Sequence, residues 1–133
     1  MSHPNETMIR TAYDAVSSSG DLAPMLDMLG DEIRWNVSGE SPLAGEYEGK
    51  DGILRFFAAM AEQYDNTLNV QVCDVVANDH RAVVLTAESG TVDGHELTWT
   101  SAHVYGIANG VVVDFSSYTD DAYHAFWSAQ RVS

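Results

Sequence analysis

The sequence predicts an α+β domain in which helices cover the concave face of a curved, mostly antiparallel sheet. Up to Asn66, apolar residues recur at helical spacing in three segments. After Asn66 the period changes to two, which is typical of strands with one buried face. Asp93-Gly94 and Asn109-Gly110 separate the later strands, and such dipeptides favour tight hairpins because they accept positive φ. Helices followed by an antiparallel meander indicate helices packed on one sheet.

The first half of the chain predicts three helices, one strand and a loop. Capping residues or glycines mark the helix ends. The helices are residues 6–18 after Asn5, a short helix from Asp21 to Gly30, and a helix after Asp51 with the widest apolar face. The strand is Glu32 to Ser38, where apolar and polar residues alternate. Gly39 to Gly49 contains Pro42 and three glycines and is predicted to be a loop.

The second half predicts four strands and a short closing segment. They are residues 70–76, Arg81 to Val92, Leu97 to Ile107, Val111 to Tyr118, and a helix or ordered tail from Asp120 to Ser128. In the third of these strands, one face is small and uncharged: Thr98, Thr100, Ala102, Val104 and Gly106. A sheet surface buried against a second copy has this character, so we expect a homodimer.

Composition limits the classes of protein that this chain can represent. With 133 residues and 45% apolar content, residues 1–133 are expected to form one domain with a core over about 7–127. The net charge of −14 disfavours binding to nucleic acid or to anionic membranes. Cys73 is the only cysteine, which excludes an intramolecular disulfide. With no signal peptide or apolar span in view, we expect a cytoplasmic protein.

A strongly curved sheet covered by helices forms a cone with an open mouth, and such a cone is a pocket. The chain has many large apolar and aromatic residues to line it, although core packing is the better explanation for most of them taken singly. Together they predict a cavity for a small hydrophobic molecule, lined by Trp35, Tyr47, Phe57, Met60, Trp99, Tyr105 and Tyr118. The histidines lack the spacing of a metal site, so no metal is expected.

Several short motifs, in this order and spacing, carry a family resemblance. They are Tyr13 with Gly20-Asp21, Trp35 followed by residues 41–49 (SPLAGEYEG), His103-Val104-Tyr105 before residues 109–114 (NGVVVD), and Tyr118-Thr119-Asp120. On these motifs the chain resembles the SnoaL-like polyketide cyclases. Their cone-shaped superfamily includes nuclear transport factor 2, ketosteroid isomerase and limonene epoxide hydrolase. The resemblance runs from about Thr7 to Trp127 and implies the cone fold, whereas activity varies within the fold.

The resemblance implies candidate catalytic residues. A histidine and an aspartate from the last strands would serve as acid and base, and His103 with Asp120 is the best pair, with Asp114 as second choice. Tyr13 occupies the place of the oxyanion-binding tyrosine of ketosteroid isomerases, and His103 lies near that of their second donor. The structural alternatives are core packing for Tyr13 and His103, and a helix N-cap for Asp120.

Two mechanisms of the superfamily fit this sequence poorly. The position of the isomerase base falls around residues 36–38, which hold no carboxylate, and Glu40 follows in the loop. The Asp-Arg-Asp arrangement of limonene epoxide hydrolase is absent from Leu97 to Ile107, which contains neither Arg nor Asp.

Three hypotheses about function remain open. The first is a cofactor-independent cyclase or isomerase that acts on a hydrophobic carbonyl compound. The second is a binding module that holds a small apolar ligand without chemistry. The third is a dimerisation domain whose cone is filled. An open cavity in which His103 and an aspartate lie within hydrogen-bond reach would favour the first.

Overall fold

A computed structural model describes residues 3–39 and 41–131 of the chain. The described residues form four helices and six strands, which confirms the predicted α+β class. In chain order they are α1 (Pro4–Ser19), α2 (Ala23–Asp27), β1 (Leu29–Val37), β2 (Gly45–Glu48), α3 (Gly49–Gln63), β3 (Asn69–Ala77), β4 (Arg81–Val92), β5 (His95–Ala108), β6 (Val111–Thr119) and α4 (Asp121–Arg131).

The strands form one six-stranded sheet with the order β2-β1-β6-β5-β4-β3. The β1–β6 pair is parallel and the other four pairs are antiparallel, so the sheet is mostly antiparallel, as predicted. Strands β3 to β6 form the predicted meander. Asp93 and Asn109 adopt positive φ at the two predicted hairpin turns.

Helices cover one face of this sheet because their apolar stripes require burial. Helix α1 buries Ile9, Ala12 and Tyr13 and contacts β3. Helix α3 buries Ile53 and Phe56 and contacts β1 and β2. Helix α4 packs on β5. The core therefore lies between the helices and the sheet. Some of its residues also line the cavity described below.

The first half of the chain departs from the predicted boundaries in three places. The predicted loop contains β2, which pairs with β1 from Val37 opposite Gly45 to Arg34 opposite Glu48. The second helix ends at Asp27, and the residues that follow belong to β1. Helix α1 starts after His3, whose Nδ1 accepts from the backbone N–H of Asn5. Glu40, considered above as a base, lies outside the described residues.

An aromatic stack fixes the part of the sheet that carries the site. The rings of Trp35 on β1 and Phe115 on β6 lie parallel with centroids 3.7 Å apart. Tyr105 packs edge-on against both rings and is completely buried. Trp35 and Phe115 also stand opposite each other in the parallel β1–β6 pair. The stack therefore fixes these two strands relative to each other at the base of the cavity.

Within the described ranges, no helix is long and apolar enough to cross a membrane.

Candidate functional site

A cavity of about 520 Å³ lies between the helices and the sheet, in the size range of small-molecule sites. Its wall is mostly apolar and aromatic. Among the described residues that line it, none is lysine or arginine, and Glu88 is the only carboxylate. The cone is therefore open, and its surface suits an uncharged hydrophobic molecule that carries few polar atoms.

A polar cluster stands in this apolar wall, with His103 at its centre. The Tyr13 hydroxyl lies 2.6 Å from His103 Nδ1 and 2.6 Å from the Tyr105 hydroxyl. His103 and Tyr105 are two residues apart on β5, so their side chains share the face toward the helices. Tyr13 reaches them from the buried stripe of α1. The alternation of β5 and the buried stripe of α1 thus bring the side chains of His103, Tyr105 and Tyr13 together.

Glu88 on β4 completes the cluster on the other side of the imidazole. Its Oε2 lies 3.4 Å from His103 Nε2 and 2.7 Å from the Thr86 hydroxyl. The side chain of Glu88 is 9% exposed and that of His103 is 14% exposed. Burial alone would raise the pKa of Glu88, but hydrogen bonding and charge from His103, with the hydroxyls of Thr86 and Ser101, lower it below its ordinary value. Glu88 is therefore a buried carboxylate that stays ionised.

These contacts determine which atoms carry protons. A carboxylate at Nε2 requires a proton on that nitrogen, so in the neutral imidazole Nδ1 is bare and accepts from the Tyr13 hydroxyl. Tyr13, having donated its proton, accepts from Tyr105. With Nε2 protonated, the hydrogen bonds run from Tyr105 to Tyr13 to His103, and Glu88 Oε2 lies 3.4 Å beyond Nε2.

Burial keeps both tyrosines protonated. Removal from water, followed by the neighbouring hydroxyl and Glu88, raises the pKa of Tyr13 well above its ordinary value of 10.0. Removal from water is also the largest cause that raises the pKa of Tyr105. Both side chains are therefore hydrogen-bond donors near neutral pH, and neither is a source of phenolate.

The arrangement combines a base and a donor at one point of an apolar wall. His103 Nδ1 can accept a proton once Tyr13 directs its own proton elsewhere. A carbonyl oxygen in the cavity is a suitable acceptor for that proton, and it gains charge when an adjacent C–H bond breaks. A ligand that engages Tyr13 thereby leaves Nδ1 free to act as a base.

Most of the residues predicted to line the pocket do line it. The cavity wall includes Trp35, Phe57, Met60, Trp99 and Tyr105, together with Tyr13 and His103.

Two predicted pocket residues lie elsewhere. Tyr47 packs on Phe56 with its hydroxyl donating to the Leu43 carbonyl, and it lies outside the cavity wall. Tyr118 is 53% exposed because its position on β6 points away from the helices. Alternation along β6 places Ser117 and Thr119 in the wall in its place.

The two aspartates considered as partners of His103 lie away from it. One oxygen of Asp120 accepts from the backbone N–H of Thr100 and the other from that of Tyr123, so Asp120 caps α4. Its hydrogen bonds from Thr100, together with that from Tyr123, lower the pKa of Asp120 despite partial burial. Asp114 lies against Gly106, where an added Cβ would stand 2.4 Å from its Oδ1. Neither aspartate lines the cavity, and Glu88 takes the place predicted for Asp120.

The sequence contained a signal for Glu88. Strand β4 buries Ala82, Val84 and Thr86 at every second position, and Glu88 continues that face. A carboxylate at an inward position of an otherwise apolar strand requires a partner, since burying an unpaired charge is costly. No motif of the resemblance covered this strand, and for that reason the residue was missed.

A second aromatic group lies where α3, α4 and β5 meet. The hydroxyls of Tyr64 and Tyr123 lie 2.6 Å apart, and the Tyr64 ring stacks on Trp99 with centroids 5.4 Å apart. All three line the cavity. This group connects α4 to the end of α3 and forms the wall of the cavity there.

In the parts of the chain that the structure describes, no three His, Cys, Asp or Glu side chains come together as a metal site would require. His103 and Glu88 contact each other and hydroxyl groups.

The sequence and the fold match a known class of domain. Residues 9–115 match the model of the SnoaL-like domain, and the chain belongs to that family. An uncharacterised protein of Mycobacterium tuberculosis is 26% identical over 124 residues, which cover 91% of this chain and 94% of that protein.

Solved structures share the same architecture. Bal32a, from a soil-derived mobile gene cassette, superposes with a TM-score of 0.83 at 24% identity, covering 92% of this chain and 95% of Bal32a. A nuclear transport factor 2-like protein of unknown function from Burkholderia pseudomallei superposes with a TM-score of 0.81 at 25% identity, with coverage of 92% and 95%. These similarities agree with the predicted cone fold, and the chemistry has to be argued from the site.

Proposed function

We propose that this protein is an enzyme that transfers protons on an uncharged hydrophobic carbonyl compound, in a reaction of the isomerase or cyclase type. The observation that carries the proposal is the position of His103 between a buried carboxylate and a tyrosine hydroxyl in an apolar cavity. A histidine that only packs in a core needs neither an ionised partner nor an open cavity beside it.

In the proposed first step, His103 Nδ1 removes a proton from the carbon next to the carbonyl. The C–H electron pair becomes the C=C bond of an enolate, and the carbonyl π pair moves to oxygen. The hydroxyl of Tyr13 donates to that oxygen as its charge develops. Glu88 stabilises the imidazolium that forms, as an opposite charge at 3.4 Å from Nε2.

The second step returns the proton. In an isomerisation, Nδ1 delivers it to another carbon of the enolate system. In a cyclisation, the enolate carbon attacks a second carbonyl of the same molecule, and the new alkoxide takes the proton. His103 and Glu88 end in their starting states in both cases, so the same site serves either reaction.

The test is exchange of α-hydrogens on a simple aromatic ketone, 2-acetylnaphthalene, in D₂O, followed by ¹H NMR. We expect the wild-type protein to accelerate the exchange and His103→Asn to lower that rate by about 10²- to 10⁴-fold, the usual contribution of a general base. His80→Asn, at an exposed histidine outside the cavity, is the matched control and should leave the rate unchanged. Exchange in His103→Asn at the wild-type rate would remove His103 from the mechanism.

A binding module is the second candidate function, and the aromatic wall around Trp35 and Trp99 favours it. It predicts that the ketone binds and that its α-hydrogens exchange no faster than in buffer. The same experiment, with binding measured by calorimetry, therefore separates the two functions.

We further propose that the protein works as a homodimer joined through the outer face of the sheet. Val76, Leu85 and Tyr118 are large and exposed there, and Leu85 and Tyr118 both lie beside Ala102 in the strand register. Apolar side chains grouped on one face favour burial against a second copy. Sedimentation should give a dimer for the wild type and a monomer for Leu85→Asp, and a monomeric wild type would contradict the proposal.

A further inference from the structure

Thr86 lies beside Glu88 on β4, between the level of Glu88 and that of His103 in the β4–β5 register. The two residues are two positions apart on β4, so their side chains share one face of the strand. Thr86 is 2% exposed and does not line the cavity, so a ligand in the cavity cannot touch it. Its hydroxyl nevertheless reaches Glu88 Oε2 at 2.7 Å, the same oxygen that faces His103 Nε2.

The Thr86 hydroxyl has one proton and two acceptors within reach. Glu88 Oε2 lies at 2.7 Å and the Ser101 carbonyl at 3.5 Å, so the proton is directed to the carboxylate. Ser101 stands opposite Thr86 in the β4–β5 register, and its own hydroxyl also contributes a hydrogen bond that lowers the pKa of Glu88. The hydrogen bond from Thr86 thus holds the same carboxylate oxygen that faces Nε2 of His103.

From this geometry we infer that Thr86 is a positioning residue: its hydroxyl holds Glu88 ionised and aimed at His103, so that His103 carries its neutral-state proton on Nε2 and keeps Nδ1 bare toward the cavity. The inference rests on the proposed function for its catalytic meaning. The charge state and the tautomer are properties of the resting protein and can be measured without any substrate.

The surroundings of Glu88 leave this role to few groups. The other titratable side chains near it are His103 and Tyr105 from β5, Tyr13 from α1, Tyr64 just after α3, and Asp120, which lines a second pocket together with Glu88. The three tyrosines are uncharged near neutral pH. Because no lysine or arginine is among the described residues of the cavity wall, His103 and the neighbouring hydroxyls are the groups that keep the carboxylate ionised.

The test compares Thr86→Val, which removes the hydroxyl at nearly constant volume, with Thr86→Ser, which keeps it. Thr98→Val, on the exposed side of β5, is the matched control for the loss of a strand threonine hydroxyl. The readouts are the ¹³C NMR titration of the Glu88 carboxyl, the ¹⁵N shifts of the His103 ring, and the pH profile of ketone exchange. Circular dichroism confirms that each variant is folded.

In Thr86→Val we expect the Glu88 titration to move upward by about one pH unit, the scale of one hydrogen bond to a charged group. The His103 ring should show a mixture of tautomers, and ketone exchange should be slower across the pH profile, because a smaller fraction of the protein keeps Nδ1 bare toward the cavity. Thr86→Ser and Thr98→Val should match the wild type in all three readouts. If Thr86→Val fails to fold, Thr86→Ala takes its place, with the same direction expected.

Unchanged Glu88 and His103 spectra in folded Thr86→Val would overturn the inference, whatever the exchange rates are. If the spectra change as expected while the wild-type protein exchanges no ketone, the role of Thr86 stands and the proposed function fails. The two failures are therefore distinguishable in one set of samples.

Discussion

At the scale of single residues, the chemistry of the site depends on which group donates and which accepts in each of its hydrogen bonds. His103 has two distinct ring nitrogens, and its neighbours assign them opposite roles: Glu88 requires a proton on Nε2, while Tyr13 can donate to Nδ1. The assignment depends on the carboxylate being ionised, because an ionised carboxylate can only accept a hydrogen bond. If Glu88 were neutral, either tautomer could be accommodated, and the basic nitrogen would no longer be fixed toward the cavity.

The ionisation of Glu88 leads to a prediction about stability and pH. Its pKa in the folded protein lies below its ordinary value of 4.5, so ionised Glu88 stabilises the fold at all pH values above about 4.5. That stabilisation disappears as the pH falls through the folded-state pKa. We expect Glu88→Gln to lower the free energy of unfolding by about 1–3 kcal/mol at pH 7, and by much less near pH 3.

Urea denaturation at the two pH values measures this difference. Glu96→Gln, at an exposed glutamate on β5, is the matched control and should show no dependence on pH beyond that of the wild type. A Glu88→Gln variant whose loss of stability is the same at pH 3 and pH 7 would contradict the ionised state of Glu88.

The site residues show how far sequence reasoning reaches at this scale. His103 and Tyr13 were found through short motifs, and alternation along β5 correctly placed His103 and Tyr105 on one face. The strand register also gives no sign of the partner of His103, because Val84, and not Glu88, stands opposite it. Glu88 stands opposite Trp99, which is four residues from His103 on β5, and its side chain still contacts His103. A hydrophobic period does not specify such a diagonal contact.

At the scale of secondary-structure elements, the regular periods of β4, β5 and β6 made those strands predictable, whereas β2 was not. Strand β2 has four residues, follows a Pro- and Gly-containing turn, and gains its conformation by pairing with β1. This pairing depends on the tertiary structure, and a segment of four residues is too short to show a strand period in the sequence. The same holds for the end of α2, where residues that continue a helical apolar pattern instead begin a strand beside β6.

The contact between β4 and Tyr64, the residue that follows α3, provides a prediction at this scale. A Cβ added to Gly90 on β4 would stand 2.8 Å from Cδ1 of Tyr64. That ring cannot move freely, because it is 2% exposed, stacks on Trp99 and hydrogen-bonds to Tyr123. We expect Gly90→Ala to lower the free energy of unfolding by about 1–3 kcal/mol, the usual cost of overpacking a core.

Chemical denaturation of Gly90→Ala measures the cost. Ser89→Ala, at the neighbouring β4 position, is the matched control for a change to alanine in the same strand and should stay within about 0.5 kcal/mol of the wild type. Wild-type stability in Gly90→Ala would show that the group of Tyr64, Trp99 and Tyr123 is loosely packed.

At the scale of the whole molecule, the net charge of −14 and the composition of the cavity act in the same direction. Nearly all the acids are on the surface, and Glu88 is the one that lines the described cavity, with no lysine or arginine beside it. A ligand carboxylate would enter a negative field and meet no cation there, and a buried unpaired charge is costly. The protein should therefore select uncharged ligands.

Two probes of the same ring system test this selection. We expect 2-acetylnaphthalene, which is neutral, to bind at least about tenfold more tightly than 2-naphthoate, as measured by calorimetry at pH 7. Glu88→Gln should reduce that difference, because it removes the only carboxylate of the described cavity wall. Glu96→Gln should leave it unchanged. Equal affinity of the wild type for the two probes would contradict the selection.

The ¹⁵N spectrum of the His103 ring in the wild-type protein tests the central claim most directly. It should be recorded near neutral pH without ligand, with His103→Asn used to assign the signals. The claim is that Glu88 and Tyr13 fix one tautomer and so create a base that faces the cavity. We predict a protonated Nε2 and a bare Nδ1 that accepts a hydrogen bond. A ring protonated on Nδ1, or an even mixture of the two tautomers, would contradict it.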